Sequence, residues 1–74
     1  MKAKDYLMTL ECKKFPKVVR DKVLHLIKDD AQLNQDQQDV IAQMFDEILV
    51  LENVKMMGIT TTAVIIANYI NDCQ

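Results

Sequence analysis

A chain of 74 residues with one glycine, Gly58, and one proline, Pro16, has few places to turn sharply. Sheets reverse direction every few residues, and their turns draw on glycine, proline or asparagine to reach the required backbone angles. The expected class is therefore all-α, a few helices joined by short loops. Half of the residues are apolar, enough to bury a core and to argue against disorder. With two Phe, two Tyr and no Trp, that core must come from Leu, Ile, Val and five Met. Residues 1–74 make one domain, and a chain this size buries only about 60% of its unfolded surface. Self-association or a bound partner is a common remedy for such marginal stability.

The longest periodic stretch runs from Asn34 to Met57. Val40, Ile41, Met44, Phe45, Ile48, Leu49 and Leu51 recur at spacings of three and four, which places them on one stripe of a helix. Asn34 and Gln37 have the form of a capping box, in which each side chain meets the other's backbone N–H. Gly58 suits the left-handed residue that closes a helix, and Lys55 the cation favoured near a helix C-terminus. The pattern predicts one continuous helix over about 35–57, roughly 36 Å long at ~1.5 Å per residue. Leu49, Val50, Leu51 and Val54 widen its stripe to most of the circumference in the C-terminal half. A helix apolar nearly all round is buried on more than one side, here by a second copy or a partner.

Shorter elements flank this rod. Ala3, Tyr6, Leu7 and Leu10 predict a helix over 2–14, ended by Phe15-Pro16 because the residue before proline is pushed out of the α region. Val19, Val23, Leu26 and Ile27 predict a second helix from 16 to about 30, fraying at Asp29-Asp30, whose charges oppose the C-terminal dipole. The run ITTTAVIIANYI after Gly58 is β-branched and suits a strand by propensity, while Ala63, Ile66, Ala67, Ile70 and Cys73 form a helical stripe. A lone strand would find no partner in a helical chain, so a helix over 61–72 is expected, with Thr60 or Thr61 as its N-cap. The expected architecture is all-α with four helices: two short, one long and central over about 35–57, and one short at the C-terminus.

Net charge is −2 and the pI about 5.1, but the charge is split along the chain. Residues 1–28 carry eight basic and three acidic groups, a balance of +5, whereas residues 29–74 carry Lys55 against eight acids, a balance of −7. Lys13, Lys14, Lys17, Arg20 and Lys22 form the basic cluster, and the first four could contact phosphate. The acidic pI, and the want of an arginine-rich helix that could read bases, favour internal or protein–protein use of this cluster over direct DNA binding. Asp36, Asp39, Asp46, Glu47 and Glu52 lie along the central helix as a solvated face or a docking surface for a basic partner.

Chemistry-bearing sets are sparse. His25 is the sole histidine and has no thiolate or carboxylate beside it at ligand spacing; Cys12 and Cys73 form no C-x-x-C; a single glycine cannot build a phosphate-cradling loop. No catalytic, metal or cofactor site is expected. Cys12 and Cys73 are expected as reduced thiols, since a disulfide would need the first and last helices side by side. No run of about 18 apolar residues occurs, so no membrane span is expected. The opening MKAKDY has no apolar core of a secretory signal, and a cytoplasmic location is expected.

The segment Asp5-Tyr6-Leu7-Met8, with Leu10 and Cys12 beyond it, resembles the opening helix of the Hha/YmoA family of small helical regulators. The layout is similar too, with a long third helix after Leu33-Asn34-Gln35-Asp36 and a last helix after Ile59-Thr60-Thr61-Thr62. The family's acidic residue in the middle of helix three falls on Asp46. The chain departs from the family where Thr9, Glu11 and Lys13 replace arginines, where Glu47 replaces a histidine, and in lacking a closing tryptophan. The resemblance implies a non-enzymatic co-regulator that docks on the dimerisation region of a nucleoid-structuring protein through acidic helix-three residues.

The function expected is a non-catalytic protein–protein interaction module, homo-oligomeric, acting as a transcription co-regulator on a nucleoid-associated partner. Its contact residues would be Asp39, Asp46, Glu47, Leu49, Val50, Glu52 and Val54. Two other readings stand beside it. One is a small inhibitor, immunity or phage-type protein whose acidic face blocks a basic partner. The other is a weak DNA binder through residues 13–22.

Overall fold

The computed structural model describes residues 1–10 and 17–72, and at 47 and 48 the backbone alone. Among the described residues five helices follow in order: α1 (Ala3–Thr9), α2 (Lys17–Leu26), α3 (Gln35–Met44), α4 (Glu47–Met57) and α5 (Ile59–Asp72). The all-α class is as expected; the count of four helices is not. The expected rod of roughly 36 Å is divided at Phe45-Asp46 into α3 and α4.

The division has a physical cause. Val50 lies nine residues after Ile41, and at about 100° per residue a continuous helix would put the two on opposite faces. Neither has exposed surface, and a straight helix packed on one side cannot bury both of two opposite faces. Turning the chain at Phe45, which adopts φ −90° and ψ 11°, brings Ile41, Phe45 and Val50 into the same core. Asp46 then stands before α4, its carbonyl accepting from Val50 N at 2.9 Å, at a position where aspartate is favoured over the helix interior.

The core is centred on α5, which packs against α2 on one side and α4 on the other. Ala63, Ile66, Ala67 and Ile70 form its buried stripe, as expected, and meet Val19, Val23 and Ile27 of the α2 segment and Val50 of α4. The helix starts at Ile59, two residues before the expected start. Gly58, with φ +88°, closes α4 through its N–H to Val54 O at 2.9 Å, and its own carbonyl accepts from both the N–H and the hydroxyl of buried Thr62. Neither Thr60 nor Thr61 is the cap. The capping box of α3 is present in both directions, Gln37 N to Asn34 Oδ1 and Asn34 N to Gln37 Oε1, each 2.8 Å.

Two tertiary contacts set ends that periodicity misplaced. α2 stops at Leu26 rather than near Asp30, where Asn71 of α5 donates to Leu26 O (3.2 Å) and accepts from Lys28 N (3.1 Å). At the N-terminus, Ala3 N donates to Ala31 O and Leu33 N to Met1 O, both 2.8 Å, so the chain start pairs with the α2–α3 linker. Lys4 pairs with Asp29, and the Tyr6 hydroxyl donates to Gln38 O at 2.9 Å. Burial, then the nearby Asp39 carboxylate, pushes the Tyr6 phenol pKa up. α1 ends at Thr9, with Leu10 extended. The expected continuation of that helix to 14, the Phe15-Pro16 break, Cys12 and Cys73 lie outside the described residues.

Candidate functional site

The seven residues expected to meet a partner do not share a face. Val50 has no exposed surface and belongs to the core, and Val54 is half-buried against it, so neither is offered to a partner. Leu49 is 48% exposed, Glu52 and Asp46 are exposed, and the Glu47 side chain lies outside the description. Asp39, on the far side of the break, is exposed on α3 and accepts from Gln35 Nε2 at 3.1 Å.

The expected phosphate contacts divide likewise. Lys13 and Lys14 lie outside the described residues, and Lys17 is exposed. Arg20 turns inward: Nη1 donates to Leu10 O at 3.4 Å and Nε is buried. A guanidinium held on a backbone carbonyl is poorly placed to grip a phosphate with its fork.

What the fold does assemble is an apolar strip across three helices. Val64 and Ile65, 38% and 47% exposed, form a ridge on the outer side of α5. On one flank a groove of about 210 Å³ runs between α5 and α4, lined by Met44, Leu49, Asn53, Thr62, Ile65 and Ile66. On the other flank a groove of about 200 Å³ runs between α5 and α2, lined by Lys22, His25, Leu26, Thr60 and Val64. Leu26, 47% exposed, and Leu49 form the two banks. The ordinary accessible area of a compact 8.5 kDa monomer is about 4,700 Å², which the 4723 Å² of this chain matches. The surface is thus ordinary in extent, and Leu26, Leu49, Val64 and Ile65 contribute large aliphatic side chains to one part of it.

Of this strip the sequence reading found only Leu49. Leu26, Val64 and Ile65 were missed, yet a signal existed: Val64 and Ile65 are apolar but fall off the Ala63, Ile66, Ala67, Ile70 stripe. Apolar residues beyond the core stripe of a short helix mean either a second buried side or an exposed one. A wider, mixed cleft of about 450 Å³ lies between α1 and α2, lined by Lys4, Met8, Asp21, Leu24 and His25. Among the described residues, no three His, Cys, Asp or Glu side chains are grouped to hold a metal ion, and no helix is long and apolar enough to cross a membrane. No family model, no curated protein and no solved structure matches the chain.

Proposed function

We propose that this protein is a non-catalytic interaction module that docks a protein surface on the strip from Leu49 across Ile65 and Val64 to Leu26. The observation that carries the reading is the alignment of these four half-exposed aliphatic side chains over three helices, with a groove on each side of a central ridge. Contiguous apolar surface with polar rims is what protein interfaces bury, whereas scattered single side chains have no such meaning. Lys22 and His25 rim one groove and Asn53 the other, which supplies the polar edge.

A narrower form of the reading is a transcription co-regulator docking on a nucleoid-structuring protein. It draws on the Hha/YmoA resemblance and on the exposure of Asp46, where that family has its helix-three acid. With the rod divided into α3 and α4, no wide docking face lies on a single long helix, and the strip across α2, α4 and α5 takes its place. Titration of the purified chain into the dimerisation region of a nucleoid-structuring protein, followed by heat release, tests both forms. Ile65→Asp is expected to reduce affinity at least about tenfold, a loss of ~1.4 kcal/mol or more, and Asp46→Asn to reduce it less. Binding that Asp46→Asn abolishes and Ile65→Asp leaves intact would move the site from the strip to the acids.

A further inference from the structure

We infer that the occupant of the strip is a second copy of this chain, paired face to face about a two-fold axis running along α5. The inference rests on the reading of the strip as a protein-docking surface and names its partner. Both grooves are lined by residues 60–66 of α5, so the α2 bank and the α4 bank stand at the same level along that helix, one on either side. A two-fold axis along α5 keeps levels and exchanges sides. It therefore lays the α2 bank of each copy over the α4 bank of the other and sets Ile65 of one against Val64 of the other.

Charge selects this axis over the alternative. Lys22 lines the α2 bank, and Glu52 is exposed one turn beyond Leu49 on the α4 bank. Along α5, the axis brings Lys22 of each copy opposite Glu52 of the other, twice by symmetry. An axis across α5 would instead oppose α2 to α2 and α4 to α4, lysine against lysine and glutamate against glutamate, which is unfavourable. Size is sufficient as well. A standard interface takes ~800 Å² from each partner, about a sixth of the 4723 Å² surface, and one broad face of a 30 × 19 × 17 Å body provides about that share.

Sedimentation velocity and light scattering on the whole chain at about 100 μM test the pairing, with circular dichroism confirming that each variant is folded. The expected mass is twice 8.5 kDa. Ile65→Asp is expected to give a folded monomer, because it places a carboxylate at the centre of the apolar contact. Lys22→Glu and Glu52→Lys are each expected to weaken the dimer about tenfold, and the two together in one chain to restore it. A monomeric wild type, a dimer indifferent to Ile65→Asp, or a dimer strengthened by Lys22→Glu would each overturn the inference. A monomer whose strip variants still lose affinity for the protein partner sinks the dimer alone. A monomer whose variants bind that partner unchanged sinks the docking strip with it.

Discussion

α4 and α5 are neighbours in sequence, joined through Gly58 alone, and are both rich in aliphatic residues, yet they use them differently. α5 has a definite inner side: Thr62, Ala63, Ile66, Ala67 and Ile70 are all buried, and alanine at two of these positions lets α2 and α4 approach closely. α4 has almost none, since Val50 is fully buried while Leu49, Leu51, Met56 and Met57 are 48%, 37%, 82% and 43% exposed. α5 packs broadly against both α2 and α4, whereas α4 packs on α5 and only lightly on α3, so the same aliphatic content becomes core in one helix and surface in the other. Apolar content thus predicts that a helix has something to bury, and the extent of contact with its neighbours decides how much of it is buried within this chain.

The sharpest break of this comparison is a matched pair of truncations. Ile70→Ala on α5 is expected to cost about 2–5 kcal/mol, from lost transfer energy and the cavity left behind, and Leu49→Ala on α4 less than ~1 kcal/mol in the monomer. Urea unfolding followed by circular dichroism measures both, and equal costs would mean that Leu49 is covered. Next comes the hinge between the helices. No atom lies within 4 Å of a side chain added at Gly58, so Gly58→Ala should cost only the left-handed backbone penalty, about 1–2 kcal/mol. A larger loss would show that the angle between α4 and α5 is held under strain.

The other end of α4 gives a smaller effect. Asp46→Ala should cost about 1 kcal/mol as a lost N-terminal residue, without fusing α3 to α4, because burial of Phe45 and Val50 still requires the turn. Backbone chemical shifts of 44–47 turning helical would show instead that the aspartate alone makes the break. The smallest effect belongs to the latch at the chain start. A hydrogen bond from Lys4, then its charge, and beyond these Lys2, hold the Asp29 carboxyl below its usual pKa. The folded chain therefore keeps this carboxylate ionised at a pH where the unfolded chain has begun to bind the proton. Its contribution is present above the unfolded value of about 3.9 and lost as pH falls through the lower folded one. Between about pH 5 and pH 3, the wild-type thermal midpoint should fall slightly more than that of Asp29→Asn.

Local features were legible where their cause was local. The capping box at Asn34 and Gln37, the left-handed Gly58 and the buried stripe of α5 each depend on residues within one or two turns, and each is found as the pattern predicts. The start of α5 was misplaced by two residues because the first helical backbone bond runs from Thr62 N to Gly58 O, which places Thr60 and Thr61 inside the first turn and not before it. Of the expected contact residues, Leu49 proved exposed and Val50 buried, although the two are adjacent and both aliphatic. Periodicity alone assigns such a pair to faces only if the helix axis is known.

The residue order by itself determined that the chain would be helical, where its caps and its one left-handed hinge would fall, and which face of the last helix would turn inward. These follow from hydrogen bonds and side-chain spacings that span a few residues. Only the tertiary structure decided that the central helix breaks, that Asn71 stops α2, that the chain start pairs with the 31–33 linker, and that Leu26, Val64, Ile65 and Leu49 line up on one surface. Each of these depends on contacts between residues distant in sequence, or on the direction of one helix axis relative to another, and a repeat of three or four residues carries no information about either.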